Sequence, residues 1–417
     1  MLQFDLAYGS QTQRVSLPAD RTRVLTERLP PAGSEPEGAV LHRALSEPIA
    51  AQALRERDLA RGETVILVSD VTRPCPTARM LPLLLSELAA AGAQDKNLRI
   101  VVSLGSHRAQ TDEEISRIVG QEVRQRIRCE NLPTDDFVSL GQTRRGTPVR
   151  AYRPVVEADL RVYTGNVEYH YFAGYTGGAK AFLPGVCSPE TLTANHGMMI
   201  DERAVAGKLQ GNPVREDMEE AEGLLGPSFL YNVVLDGEKR VVEAVAGDVT
   251  LAHRQACRKV DELYRVPIAA RADIVVASAG GLPKDINLYQ TNKTLQNAAH
   301  AVRDGGIVVL LSECRDGLGQ VCFGEWLTSG ASPDELFRRL RAQFVIGAHV
   351  AVAINKVLKR GVRVFLVSSL DPLLVKEAKL EPFAIAQEAL QRAQGQMGPD
   401  SSVLVMPHAG STLPVAG

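Results

Sequence analysis

Several features that would narrow the class of this 417-residue chain are missing from it. No apolar run approaches the roughly 20 residues needed to cross a bilayer, and the first residues, MLQFDLAYGSQTQRV, lack the basic and apolar segments of a signal peptide. The 47 Lys and Arg residues nearly balance 49 Asp and Glu residues, which leaves a net charge of -2. The sequence therefore predicts no membrane association and no nucleic-acid binding, and it favours a small-molecule partner.

Cysteine pairs and common nucleotide motifs are also absent. The six cysteines are scattered and none forms a CxxC pair, which argues against a zinc ribbon and predicts reduced thiols in a cytoplasmic protein. No GxGxxG follows a strand candidate, so a conventional NAD site is not expected. Lys180 stands between Ala179 and Ala181, whereas a P-loop needs Gly before its Lys and Ser or Thr after it.

The residues that are present predict an α/β protein with largely parallel sheets. Hydrophobic residues make up 45% and charged residues 23%, which is ordinary globular usage. Apolar, β-rich runs alternate with helical patterns at 251–264, 288–303, 333–342, 347–359 and 383–395, and segments 229–236 and 240–248 form a predicted hairpin. The predicted strands are ETVILVSD (63–70), NLRIVVSLG (97–105), ADLRVYTGN (158–166), ADIVVASAG (272–280), GIVVLLSEC (306–314), VRVFLVSSL (362–370) and SVLVMPH (402–408).

The length predicts more than one domain, and the break between the two strand series divides the chain at residues 1–260 and 261–417. In open α/β sheets, ligands bind outside the carboxyl ends of the strands. We therefore expect the site at these strand ends, in the crevice between the two domains.

Polar side chains follow three strands of the first series. Asp70, Thr72 and Arg73 follow the first strand, His107 the second and His170 the third. A single His is more often a structural residue than a functional one. If the strands are parallel neighbours, however, these side chains converge, and clustered titratable groups in a cleft indicate a functional site.

A glycine-rich segment, GYTGGAKAFLPGV (174–186), follows the third of these strands. Gly174, Gly177 and Gly178 permit a tight backbone and the close approach of a ligand. Successive N–H groups in such a turn can also form an anion-binding nest. The segment therefore predicts a place where the chain wraps around a bound group.

Lys180 ends the glycine-rich part of this segment and has two interpretations. It is either a solvated surface amine or, because Ala181, Phe182 and Leu183 follow it, a partly buried one. A partly desolvated Lys loses its proton more readily and can act as a nucleophile.

A helix beginning at Ser188–Pro189 carries His196 about two turns inside it. This His either packs beside the neighbouring methionines or binds a metal, because neutral imidazole is a common ligand of transition metals. The local spacing offers no second protein ligand. A metal here would therefore need donors from elsewhere, for which a bound organic cofactor is suited.

The second strand series contributes the segment GGLPKDINLYQTNK (280–293). Gln290 and Lys293 are three residues apart on a predicted helix and share a face. The pair is either a solvated helix start or a site for a carboxylate or phosphate.

Together, the segments SDVTRPCP, GSHR, EYHYFAGYTGGAKAFLPG, NHGMM and LYQTNK resemble the lactate racemase family, the nickel-pincer nucleotide enzymes. The resemblance extends from about residue 63 to 300 and is most specific between His170 and His196. It implies that residues 1–260 form the cofactor-binding and catalytic domain and that residues 261–417 form a Rossmann-like α/β domain.

The resemblance also implies roles for individual residues. Lys180 would be attached covalently to the cofactor, pyridinium-3,5-bisthiocarboxylic acid mononucleotide, and His196 would be the single protein ligand of its nickel. His107 and His170 would be the two general acid/base groups. The remaining implied residues bind the cofactor (Asp70, Thr72, Gly174, Thr176, Gly177 and Gly178) or the substrate (Arg73, Tyr289, Gln290 and Lys293).

The implied activity is racemization or epimerization of a 2-hydroxy acid, either lactate or a related 2-hydroxy carboxylate. One His takes the hydroxyl proton while the Cα hydrogen leaves as hydride to the cofactor, and the return to the other face uses the second His. The resemblance implies accessory proteins that build the cofactor. It leaves the oligomeric state and the exact substrate open.

Two other classes of function are compatible with these residues. A zinc-dependent hydrolase would use His107, His170 and His196 as metal ligands. A non-catalytic carrier of the nickel cofactor would keep Lys180 and His196 and tolerate the loss of the other two histidines.

Overall fold

A computed structural model of the chain describes residues 1–28 and 35–416. Strands and helices alternate through most of it, as the sequence predicts. In chain order, the strands are β1 (Leu2–Tyr8), β2 (Gln11–Leu17), β3 (Thr22–Val24), β4 (Thr64–Ser69), β5 (Leu98–Ser103), β6 (Arg128–Asn131), β7 (Phe137–Gln142), β8 (Pro148–Tyr152), β9 (Leu160–Asn166), β10 (Tyr169–His170), β11 (Gly174–Tyr175), β12 (Ser228–Leu235), β13 (Val241–Gly247), β14 (Arg265–Ile268), β15 (Ala272–Ser278), β16 (Val302–Leu311), β17 (Arg363–Val367), β18 (Glu381–Phe383), β19 (Val403–Met406) and β20 (Leu413–Ala416).

The helices lie largely where the apolar periodicity places them. Within the described residues, no helix is both long and apolar enough to span a membrane. The helices are α1 (Glu37–Ser46), α2 (Thr77–Ala90), α3 (Asp112–Val119), α4 (Gln121–Arg126), α5 (Arg153–Glu157), α6 (Pro189–Gly197), α7 (Pro213–Glu222), α8 (Val249–Tyr264), α9 (Leu288–Ala301), α10 (Val321–Leu327), α11 (Pro333–Ala342), α12 (Ala348–Lys359), α13 (Pro372–Glu377) and α14 (Ala386–Met397).

The chain divides into two compact units. The first unit comprises the described residues of Leu29–Glu262, and the second comprises Met1–Arg28 together with Leu263–Gly417. The predicted division at residues 260 and 261 lies two residues from this boundary, but the prediction placed the first 28 residues in the other domain. They join the second unit because β3 pairs in parallel with β19, while β1 and β2 contribute buried side chains to its core.

The first unit is built on a six-stranded sheet with the order β13-β12-β9-β4-β5-β6. All neighbouring pairs are parallel except the hairpin of β12 and β13, which the sequence predicts. Strand β4 has the apolar sequence TVILVS, and its residues 65–68 are fully buried. Such a continuous apolar run is typical of a parallel strand that is covered on both faces.

The second unit contains a six-stranded parallel sheet with the order β18-β17-β16-β15-β19-β3. Alternate residues of β15 and β16 belong to two different apolar clusters, as expected for the two faces of a strand. One cluster includes residues of α9, α10 and α12, and the other includes residues of α14 and the hairpin of β1 and β2. The predicted fold class, two α/β domains with largely parallel sheets, is confirmed.

Candidate functional site

The three strands that precede the predicted site residues are neighbours in the first sheet. Strand β4 pairs in parallel with β5 on one side and with β9 on the other. Their carboxyl ends therefore lie at one edge, as the sequence analysis requires. Asp70 follows β4 directly, His107 lies in the turn after β5, and His170 belongs to the short strand β10 after β9.

Asp70 and His107 form a direct pair at this edge. The Nδ1 atom of His107 lies 3.0 Å from Oδ2 of Asp70, and the amide of Thr72 donates to Oδ1 at 2.8 Å. Asp70 is almost completely buried, whereas the His107 side chain is 33% exposed. The pair thus connects a buried carboxylate to an imidazole that solvent or a ligand can reach.

The charge state of Asp70 follows from these contacts. Burial alone would raise the pKa of its carboxyl group, but the hydrogen bonds from His107 and Thr72 and the positive charges of His107 and Arg73 hold the pKa well below its usual range. Asp70 is therefore ionised at neutral pH and accepts the Nδ1–H of His107. In the neutral ring, Nε2 of His107 then carries the lone pair that can take a proton.

The half-buried Arg73 closes the turn after Asp70. Its amide donates to the Asp70 carbonyl at 3.1 Å. A guanidinium presents donors in a planar fork that matches a carboxylate. Its place beside Asp70 supports the prediction that it binds the carboxylate of a substrate, and this role stays a prediction.

His170 is held in a small antiparallel ribbon. It pairs with Gly174 across β10 and β11, and the Ala173 amide donates to its Nδ1 at 3.3 Å. Its ring stacks on Tyr171 with a centroid separation of 5.3 Å, and the side chain is buried. The ribbon thus fixes the ring at a definite orientation.

One aromatic ring joins His170 to His196. Phe172 meets His170 edge-on at a centroid distance of 4.5 Å and His196 edge-on at 5.0 Å. The predicted second acid/base group and the predicted metal ligand are therefore neighbours in the first unit.

His196 lies near the end of α6, which begins as the sequence predicts. Ser188 caps this helix by accepting the Thr191 amide, and Pro189 occupies its first turn. Nδ1 of the buried His196 lies 3.1 Å from Oδ1 of Asn195.

The glycine-rich segment is shaped by packing within the protein. Gly177 and Gly178 both have positive φ, and a Cβ atom on Gly178 would lie 2.7 Å from Cγ of His253. The amide of Thr176 donates to Glu168 O at 2.8 Å, and that of Gly178 donates to Asn232 Oδ1 at 2.9 Å. These two amides are therefore engaged within the protein, and an anion-binding nest would have to use other amides of the segment. Cofactor binding by Gly174, Thr176, Gly177 and Gly178 stays a prediction.

Two buried side chains, which the sequence does not reveal, donate hydrogen bonds to carbonyl groups in and just before this segment. The fully buried Arg215 donates to Ala173 O at 3.1 Å, to Gly177 O at 3.3 Å and also to Tyr175 O. His253 donates from Nε2 to Thr176 O at 2.8 Å.

Burial lowers the pKa of both groups, strongly so for His253, which is therefore neutral. No feature of the neighbouring sequence indicates that Arg215 and His253 are buried. Arg215 lies in the polar sequence PVREDMEE, which is typical of a solvated helix, and His253 is a single histidine with no motif around it.

Lys180 occupies a single 3₁₀ turn, residues 178–181, which contacts β4 and β9. The amide of Gly105, after β5, donates to Gly185 O at 3.0 Å and ties the segment to the same sheet edge. Lys180 is half-buried between the buried residues Ala179 and Phe182, which agrees with the second of its two interpretations, a partly buried amine. The structure thus places Lys180 on the segment that packs at the edge carrying Asp70 and His107.

The other predicted substrate-binding residues lie in the second unit, on helix α9. Asn287 caps this helix by accepting the Gln290 amide at 2.9 Å. The ring of Tyr289 meets Phe323 edge-on at 5.6 Å, and Lys293 lies one turn further along. The helix predicted to begin at residue 288 is confirmed. The substrate-binding roles of Tyr289, Gln290 and Lys293 stay predictions.

The arrangement of possible ligand side chains distinguishes a three-histidine zinc site from a metal that has one protein ligand. Across residues 1–28 and 35–416, no three His, Cys, Asp or Glu side chains are grouped so that they could hold a metal ion. The three-histidine zinc site of a hydrolase is therefore not formed. A single oriented imidazole at His196 fits a metal whose other donors come from a bound organic group.

Comparison with known proteins gives consistent matches along the chain. Residues 8–207 match the lactate racemase N-terminal domain, and residues 268–413 match the lactate racemase C-terminal domain. The chain is 31% identical to the lactate racemase of Thermoanaerobacterium thermosaccharolyticum over 428 residues, 99% of each chain. It is 33% identical to the lactate racemase of Lactiplantibacillus plantarum over 89% of each.

Two solved structures share the fold. The lactate racemase apoprotein of T. thermosaccharolyticum superposes with a TM-score of 0.92 at 31% identity, covering 99% of this chain and 100% of that one. A Thermotoga maritima protein gives a TM-score of 0.67 at 18% identity over 92% of this chain and 98% of that one, which shows a shared fold only. From the two domain matches and the full-length relatives, we conclude that the chain belongs to the lactate racemase family.

Proposed function

We propose that this protein is a racemase that interconverts the enantiomers of a 2-hydroxy acid, with lactate as the first candidate substrate. The observation that carries the proposal is the Asp70–His107 pair, with a separation of 3.0 Å. It lies at the sheet edge where β9 ends, and the chain continues from there to His170. The names of the two full-length relatives support lactate as the substrate.

Racemization at an alcohol carbon needs a proton acceptor for each enantiomer. Ionised Asp70 keeps the proton of neutral His107 on Nδ1, so Nε2 can remove the hydroxyl proton from one enantiomer. His170 serves the other enantiomer. When the first base accepts a proton, the negative charge of Asp70 stabilises the resulting imidazolium.

The residues present fit the nickel-pincer nucleotide that the family resemblance implies. Lys180 would hold it covalently and His196 would be its protein ligand to nickel, because His196 is buried and no three-ligand protein cluster is formed among the described residues. When bound, this cofactor supplies reversible acceptance of the Cα hydride. Asp70 and Thr72 lie at the same edge as Lys180 and complete the proposed first-unit contacts.

The carboxylate of the substrate needs cationic and amide donors. Arg73 supplies a guanidinium beside Asp70, and we assign Tyr289, Gln290 and Lys293 of the second unit to substrate binding as well. Side chains that face the substituent at the Cα atom would decide between lactate and larger 2-hydroxy acids.

The direct test is an enantiomer assay. The chain is produced with and without the accessory proteins that build the cofactor and is then incubated with a single enantiomer of lactate. We expect the matured protein to bring the two enantiomers to equal amounts and the unmatured protein to leave the ratio unchanged. A matured protein that leaves lactate and other 2-hydroxy acids optically pure would contradict the proposal.

The variant with both His107 and His170 replaced by Ala separates a racemase from a cofactor carrier. We expect it to keep the mass of the attached cofactor and to lose interconversion of the enantiomers. Turnover at the wild-type rate would rule out the two assigned bases.

A further inference from the structure

A buried carboxylate on helix α7 accepts hydrogen bonds from three neutral side chains. Asp217 is fully buried and accepts from Thr143 Oγ1 at 2.5 Å, from Thr147 Oγ1 at 2.8 Å and from Asn195 Nδ2 at 2.8 Å. The two threonines flank the turn between β7 and β8, so the carboxylate is anchored from a different element. Of the three donors, Asn195 connects Asp217 to the candidate site, because it precedes His196 in the chain and also contacts its ring.

The amide of Asn195 has only one orientation that satisfies its neighbours. Its Nδ2 atom lies 2.8 Å from Asp217 Oδ2 and 3.1 Å from the carbonyl oxygen of Val214. A carbonyl oxygen only accepts, so the group that faces it must be the NH2. The remaining atom, Oδ1, is therefore the one that lies 3.1 Å from Nδ1 of His196.

This orientation fixes the position of the proton on the imidazole. Oδ1 of an amide only accepts hydrogen bonds, so Nδ1 of His196 must carry the hydrogen. In a neutral ring the lone pair then belongs to Nε2. A flipped amide would present NH2 to Nδ1 and would select the opposite tautomer.

We propose that Asp217, acting through Asn195, is a positioning residue that keeps the proton of His196 on Nδ1, so that Nε2 is the ring nitrogen whose lone pair binds a ligand. The identity of that ligand, the nickel of the cofactor, rests on the proposed function. The arrangement follows the general behaviour of metal-binding histidines, whose other ring nitrogen donates to a fixed acceptor.

The tautomer is measured on the full chain without cofactor. Histidine is labelled with ¹⁵N, and two-bond ¹⁵N–¹H correlation spectra at pH 8 distinguish protonated from unprotonated ring nitrogens. The His196 signals are identified by their loss in His196→Gln. We expect a protonated Nδ1 and an unprotonated Nε2. A wild-type protein with the proton on Nε2 overturns the proposal, and no destabilised variant of the network is needed for that decision.

A second measurement separates positioning from simple support of the fold. Nickel-loaded Asn195→Leu and Thr147→Val proteins are challenged with a chelator at a temperature at which both are folded. Each substitution removes one donor to the same Asp217 oxygen, but only the first alters the group that faces His196.

We expect Asn195→Leu to release nickel roughly 10- to 100-fold faster than the wild type, in line with the loss of metal affinity that usually follows removal of the partner of a metal-binding His. Thr147→Val should stay near the wild-type rate. Equal release from the two variants overturns the proposal, because the network would then only support the fold.

The His196→Gln protein distinguishes failure of this inference from failure of the proposed function. If the His196→Gln protein retains nickel as well as the wild type does, the assignment of His196 as the metal ligand is wrong. The tautomer measured without cofactor still decides the role of Asp217 and Asn195.

Discussion

At the scale of single residues, the site depends on how Asp70 is surrounded. Burial of a carboxylate disfavours its charged form, but hydrogen bonds and nearby positive charges reverse that effect and keep the pKa of Asp70 well below its usual range. An ionised Asp70 fixes the tautomer of His107. The sequence located both residues because each follows a strand, yet it could not show that they are in contact.

Replacing Asp70 by Asn should slow racemization with little change in shape. The amide can present its NH2 to Nδ1 of His107 and so favour the tautomer whose Nε2 is protonated. We expect a loss of roughly 10²- to 10⁴-fold in the rate of the matured enzyme, measured by enantiomer conversion. Asp201→Asn is a matched control, because Asp201 also has a lowered pKa, through its surface pair with Arg203. A full rate in Asp70→Asn would contradict the assigned role.

The same substitution predicts a pH dependence of stability. A carboxyl group whose pKa is lowered on folding adds stability above its unfolded pKa of about 3.9, and that contribution is lost as the pH falls toward the lower, folded value. The difference in unfolding free energy between wild type and Asp70→Asn should therefore shrink as the pH falls below about 4. Urea unfolding between about pH 5 and about pH 3 measures this change. A difference that grows as the pH falls below about 4 would contradict the lowered pKa.

At the scale of elements, side chains of helices α7 and α8 hold the glycine-rich segment in place through hydrogen bonds to its backbone. Arg215 on α7 and His253 on α8 donate to three of its carbonyl groups and to that of Ala173, the residue before it. The glycines and Lys180 could be recognised from sequence because their spacing is distinctive. The two supporting side chains could not, since their burial depends on contacts between residues some 40 to 77 positions apart.

Replacing Arg215 by Met should loosen the segment that carries Lys180. The change leaves three carbonyl oxygens without their donor, and we expect the local opening free energy to fall by about 2–4 kcal/mol. Hydrogen exchange of peptides that cover residues 173–180 measures this loss. Arg203→Met is the control, because its pair with Asp201 is at the surface and should contribute less than about 1 kcal/mol. Equal exchange in the two variants would contradict the supporting role of Arg215.

At the scale of the whole molecule, the chain order and the structural units do not coincide. The predicted strands and helices of the second series are found nearly as placed, from β15 to β19. The first 28 residues belong with them because β3 pairs with β19, about 380 residues further along, and because β1 and β2 add buried side chains to the same core. Short polar strands such as β3 have no apolar run of their own, so their partner cannot be predicted from local pattern.

The second unit should fold from a rearranged chain. We expect residues 263–417, joined through a flexible Gly/Ser linker to residues 1–28, to unfold cooperatively, because Leu6, Val15 and Leu17 then complete its apolar core. Residues 263–417 alone should lack that transition. The single Trp326, which packs against the other core of this unit, reports both outcomes by fluorescence. A cooperative transition of equal midpoint in the shorter chain would contradict this account.

The most direct test of the account is the mass of the peptide that contains Lys180, taken from protein that actively interconverts lactate enantiomers. We predict that this peptide carries the added mass of the nickel-pincer nucleotide or its metal-free form, and that Lys180→Ala abolishes both the added mass and the activity. An unmodified Lys180 in a preparation that racemizes lactate at full rate would contradict the central claim.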